Sequence, residues 1–144
     1  MIVNTQSGGE QIIRVPVEVK GVFFDGMQHS VGMHGYFSVF QVADSNPGDP
    51  EGVCGSGNEV WLQLMRINGQ LSSRILVSSC LESFSLISQN TGMEGQDNDF
   101  SSIEWNGDGF SIEWFYKKDS CGRLLKSTTY RECGTLFCAL NMLE

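Results

Sequence analysis

The residues of this chain best suited to chemistry are two histidines, five cysteines and a set of carboxylates, and their spacing limits what each can do. His29 and His34 flank Gly32. Two such histidines with a cysteine make part of a zinc site, but structural zinc usually adds a second close pair. Cys133 and Cys138 repeat the spacing, yet no Cys-x-x-Cys occurs, so no zinc site is expected. Asp44, Asn46, Asp49 and Glu51 lie in one stretch, and Asp97 and Asp99 in another. These are the hard oxygen donors that calcium takes, without the twelve-residue loop, its glycine and its closing glutamate. Cys54 with His29 or His34 offers a nucleophile and a base, but no local signature surrounds it. Glu104 and Glu113 would serve glycoside cleavage only across a cleft; as strand residues they read more simply as the solvent side of a hairpin. No Gly-x-Gly-x-x-Gly or Walker pattern follows a strand. The expected chemistry is therefore binding, with no catalytic residue, no metal and no cofactor.

Charge supplies the strongest remaining signal. The chain has 17 acidic and 9 basic residues and a formal net charge of -8. That balance argues against nucleic acid or an anionic membrane surface as a direct partner. The charges are also segregated. No Lys or Arg lies between Lys20 and Arg66, or between Arg74 and Lys117, whereas Lys117, Lys118, Arg123, Lys126 and Arg131 gather near the end. Glu94, Asp97, Asp99, Glu104, Asp108 and Glu113 fall in the second gap and form the expected partner-binding set. A one-signed patch of this kind steers an oppositely charged partner, where ordinary solubility needs only mixed charge.

The element that must carry Glu104, Asp108 and Glu113, beside the loop with Glu94, Asp97 and Asp99, runs from Ser101 to Arg131. Ser-Ile-Glu-Trp occurs at 102–105 and again at 111–114, on either side of Gly107-Asp108-Gly109. Each copy alternates polar and apolar, the period that sends side chains to opposite faces of a strand. The Asn/Gly/Asp link between them is a hairpin signal. Phe110, Ile112, Trp114 and Tyr116 should line one face, with Ser111 and Glu113 on the other. Lys118 to Arg123 reads as a second turn and Leu124 to Arg131 as a third strand.

The rest of the chain has the same character. The only alanines are Ala43 and Ala139, against 17 glycines, and the apolar residues are rich in Val, Ile, Phe and Trp. Such composition suits pleated, turn-rich structure. Met1 to Gly9 reads as a loose start. Gln11 to Val19 reads as a strand that Pro16 confines to an edge or a bulge, and Val22 to Phe24 as its extension or the start of the next strand. Asp25 to Gly32 reads as a turn and Gly35 to Val42 as a strand buried on both sides over part of its length. Asp44 to Asn58 is the longest loop. Glu59 to Ile67 and Gln70 to Ser78 flank Asn68-Gly69, the strongest short hairpin signal. Leu81 to Ser88 reads as a strand, Gln89 to Asp99 as an acidic loop, and Gly134 to Leu143 as a strand or one short helix. The prediction is a single mostly β domain over residues 1–144, an antiparallel sandwich or barrel of about eight or nine short strands with no βαβ rhythm.

Five cysteines cannot all pair within one chain. The N-terminal residues lack a basic-then-apolar secretory profile, and no run approaches a membrane span. The expectation is a reduced, cytoplasmic protein whose cysteines are mostly small core residues; the alternative is a mature secreted chain with two bridges. In size, acidity and lack of catalytic motifs the chain resembles the cytosolic immunity proteins of bacterial contact-dependent and other polymorphic toxin systems. That resemblance implies a stoichiometric inhibitor that binds a basic toxin domain, such as a nuclease, through its acidic surface. Two other readings are a carbohydrate- or ligand-binding β-sandwich with Trp105, Trp114 or Tyr116 as its platform, and a self-assembling phage or virion structural protein. Trp61, Trp105 and Trp114 are otherwise expected in the core.

Overall fold

The computed structural model describes residues 2–4, 10–12, 19–67, 70–88, 96 and 99–140. Among them are twelve β-strands and no α-helix. β1 (Ile2–Asn4) pairs with β2 (Glu10–Ile12) as a separate antiparallel ribbon. Residues 2–4, read from sequence as a loose start, are therefore paired. The remaining strands form two antiparallel sheets, one of them curled into a half-barrel.

The first sheet has the order β3 (Val19–Phe24), β5 (His34–Asp44), β6 (Asn58–Arg66) and β7 (Leu71–Ser79), with β4 (His29–Val31) beside β3 on the same edge of β5. β6 pairs with β5 over its full length, from Tyr36 opposite Arg66 to Asp44 opposite Asn58. Their alternation is that of central strands. Tyr36, Phe40, Val42, Val60, Leu62 and Leu64 enter the main core, while Phe37, Val39 and Met65 are buried on the opposite face under Val22, Phe24 and Ile67. The expected two-sided burial of the Gly35–Val42 stretch is thus present. β4 corrects the reading of Asp25 to Gly32 as a turn only: its three residues pair across Gly32, whose φ of 57° makes the tight reversal.

The second sheet has the order β12 (Leu136–Ala139), β11 (Ser127–Cys133), β10 (Gly109–Tyr116) and β8 (Ser85–Leu86), with β9 (Ile103–Trp105) also on β10. The predicted meander is its centre. Phe110, Ile112 and Trp114 are buried as expected, and Ser111 and Glu113 face out. Tyr116 is 40% exposed, because the register shifts between Trp114 and Tyr116 and the strand leaves the core. The stretch Leu81 to Ser88 contributes only the two-residue β8. Residues 80–83 are a turn, in which Ser79 and Phe84 form a single bridge. The last described element is the strand β12, whose backbone is met by serine side chains of β7. Ser72 Oγ donates to the Thr135 carbonyl at 2.7 Å, and the Phe137 amide donates to Ser73 Oγ at 2.9 Å. Serine hydroxyls thereby join two sheet edges that no backbone ladder connects, an edge-protecting arrangement.

The cysteine expectation is overturned. Cys54 is bonded to Cys80 and Cys133 to Cys138, and Cys121 is free and exposed. Each pair has Cα atoms within reach of a bridge, 5.8 Å and 5.9 Å apart. Residues 26 apart in sequence meet because the long loop returns to the end of β7, which local pattern could not show. The Asn68-Gly69 turn lies outside the described residues; its flanks close with the Arg66 amide donating to the Gln70 carbonyl at 2.9 Å. No described helix is long and apolar enough to cross a membrane.

Candidate functional site

The outward face of the second sheet carries the expected carboxylates. Glu104 pairs with Ser111 across β9 and β10, and Glu113 lies two residues along on the same strand. The period of two therefore puts both on one face, as diagonal neighbours about 7–8 Å apart by ordinary sheet geometry. Both are exposed. Ser111 and Thr129 confirm the outward side, with hydroxyls 3.3 Å apart. Asp108 is exposed at the tip between the strands, where Asn106 Oδ1 accepts from the Asp108 and Gly109 amides at 2.8 and 3.0 Å. That side-chain-to-backbone turn is what an Asn at its first position supplies. None of Glu104, Asp108 and Glu113 makes an ion pair among the described residues.

The rest of the predicted set behaves differently. Asp99 is half-buried and turned inward on its own backbone. The Ser101 hydroxyl and amide donate to its carboxylate, which holds its pKa below the ordinary value. Glu94 and Asp97 lie outside the described residues. The face is also not purely acidic, since Arg131, opposite Gly109 on β11, points the same way.

Sequence reasoning missed the apolar part of this surface. Phe115, two residues beyond Glu113, is 61% exposed, and Ile87, whose amide meets the Glu113 carbonyl, is 48% exposed. Alternation along β10 does place Phe115 outward, a signal available in the sequence. The C-terminal basic residues mostly lie elsewhere. Lys117 Nζ sits 3.8 Å from the centre of the Phe84 ring, and burial lowers its pKa against the opposing pull of Glu82. Arg123 pairs with Asp119 at 3.4 Å. Arg123 and Lys126 line a separate groove with Leu125 and Tyr130.

The two histidines do not converge. His29 Nε2 is 2.6 Å from Asp25 Oδ2, which also accepts from Ser38 Oγ at 2.7 Å, and the imidazole stacks on Trp105 with centroids 4.3 Å apart. His34 Nδ1 is 2.9 Å from Glu132 Oε2, the same oxygen to which the Tyr36 hydroxyl donates. Each ring thus serves its own carboxylate, and among the described residues no three His, Cys, Asp or Glu side chains gather as for a metal. Cys54 is committed to its disulfide and offers no thiolate. In the long loop Asp44 pairs with Lys20 at 2.5 Å, and Asn46 Nδ2 donates to the Val53 carbonyl.

The tryptophan platform is corrected as well. Trp114 is buried, with its indole N–H donating to Thr128 Oγ1 at 2.9 Å. Trp105 is half-buried among His29, Tyr36, Phe110 and Phe137. Trp61 lies under the Arg74 guanidinium.

Comparison with protein-family models, curated proteins and solved structures finds no match to this chain.

Proposed function

We propose that this chain is a protein-binding domain that takes a basic partner on the outward face of β9 and β10, as a stoichiometric inhibitor of the immunity-protein kind. The observation that supports the reading is the exposed pair Glu104 and Glu113, without ion pairs among the described residues, beside exposed Ile87 and Phe115. An apolar anchor next to fixed charge is the anatomy of a docking surface. The aromatic gives dwell time, and the carboxylates give steering and partner choice. A basic toxin domain, a nuclease among them, is a partner of the required chemistry. The disulfides support an encounter in an oxidising compartment in place of the cytoplasm expected from sequence.

The test compares the native chain with Glu104→Lys/Glu113→Lys and with Phe115→Ala as baits in extracts of the source cells. A basic protein retained one-to-one by the native chain should associate about tenfold more slowly with the charge-reversed variant at low salt. Phe115→Ala should instead speed its dissociation. A retained partner that binds all three alike, at low and high salt, removes this face from the function.

A further inference from the structure

A second candidate site lies at the other end of β10. An open cleft of about 420 Å³ forms where the start of β6 and the end of β7 meet β8 and the last residues of β10. That volume lies within the roughly 300–1,000 Å³ range of small-molecule sites. Its described lining carries no charged side chain, unusual for a protein this acidic.

Ser79 in the wall is engaged with Glu59 and Glu82, but other polar groups there are unspent. Asn58 Oδ1 is buried and makes no hydrogen bond among the described residues. Ser78, Ser83 and Ser85 also line the cleft, and none of their hydroxyls is engaged by another described residue. Beside them stand Phe115 and Tyr116, 61% and 40% exposed. A buried acceptor without a donor is destabilising unless something donates to it. The backbone is strained at the same corner. The only described non-glycine residues at positive φ are Ser83 (59°), in the cleft wall, and Cys54 (56°), bonded to the lining residue Cys80. Residues held in that region tend to sit where function demands the geometry.

We infer that this cleft binds a neutral polyhydroxylated ligand, an oligosaccharide or a glycan carried on a protein. Hydroxyl and amide groups satisfy sugar hydroxyls as both donors and acceptors, and an exposed ring covers the apolar C–H face of a pyranose. A phosphate or carboxylate ligand would call for a cation in the wall, and the described wall has none. The site borders the acidic face and shares Phe115 with it but none of its carboxylates. Its platform is Tyr116, not the tryptophans.

The test uses the full oxidised chain, with amide resonances followed during titration with cellopentaose, maltopentaose, chitopentaose and a high-mannose glycopeptide. At least one probe should move the amides of Ser83, Ser85 and Tyr116. The glycopeptide arm separates a protein-borne glycan from free oligosaccharide. Asn58→Ala and Tyr116→Ala should each weaken that binding about tenfold or more. Asn58→Ala removes an acceptor with no described partner, so its melting temperature should not fall and lost binding will not reflect misfolding. Glu104→Lys/Glu113→Lys should bind the sugar as the native chain does. The inference is overturned if no probe shifts these amides at about 10 mM, the limit of a useful weak affinity, or if both cleft variants bind unchanged.

Discussion

At the scale of single residues, the most consequential contact is that of Tyr36 with Glu132. Tyr36 is completely buried, and its hydroxyl donates to a carboxylate that also receives His34. Burial alone would raise the Glu132 pKa, but the hydrogen bonds from Tyr36 and His34 outweigh it and hold the group below its ordinary value. A carboxyl whose folded pKa is depressed contributes stability above its unfolded pKa and loses it as pH falls through the folded value. Tyr36→Phe should therefore cost about 1.5–3 kcal/mol near neutrality, the usual range for a hydrogen bond to a charged group. The deficit should shrink as the pH falls below the ordinary carboxylate range and Glu132 takes up a proton. Urea denaturation of both proteins at pH 7 and pH 3 measures it, and an equal penalty at both values would remove the Glu132 charge from the account. Nothing in the sequence marked the partner of His34, 98 residues away. A contact across two sheets leaves no periodic trace.

At the scale of elements, the β9–β10 hairpin rests on two glycines with different roles. A Cβ at Gly109 would meet the Tyr130 carbonyl oxygen at 2.1 Å and the Arg131 Cα at 3.1 Å, both backbone atoms of the paired strand. Neither can swing aside as a side chain would. Gly109→Ala should cost roughly 1–3 kcal/mol or more, the range for forced overpacking. At Gly107 a Cβ meets nothing within 4 Å, so Gly107→Ala should stay within about 0.5 kcal/mol of the native stability. Chemical denaturation of the two variants side by side checks the contrast, and equal effects would mean that Tyr130 yields. β5, β6, β7 and β10 were legible because each buries at least one regular face, and alternation records that. β4 was not, since three residues between turns are too few to show a period. β8 was over-read: the alternation in Leu81 to Ser88 belongs mostly to a turn whose Leu81 is exposed. The shared outward face of Glu104 and Glu113 followed from the doubled tetrad. The uncharged cleft did not, because it is assembled from the ends of four strands.

At the scale of the whole molecule, the two disulfides constrain very different lengths of chain. Cys54–Cys80 closes a span of 26 residues and ties the long acidic loop to the end of β7. Cys133–Cys138 closes only 5 residues, within one hairpin already held by backbone pairing. On the chain-entropy account the longer closure restricts the unfolded chain more, by about 3.5 kcal/mol against about 2. Cys54→Ala/Cys80→Ala should accordingly lower the melting temperature by roughly 10 °C. Cys133→Ala/Cys138→Ala should lower it by little more than half as much. Added reductant should bring the native chain down to the level of the four-alanine variant while leaving that variant where it was. The same measurement bears on compartment. A native chain that melts identically with and without reductant would not depend on oxidation, and a reducing cytoplasm would then suit the proposed docking on the acidic face as well as an oxidising space.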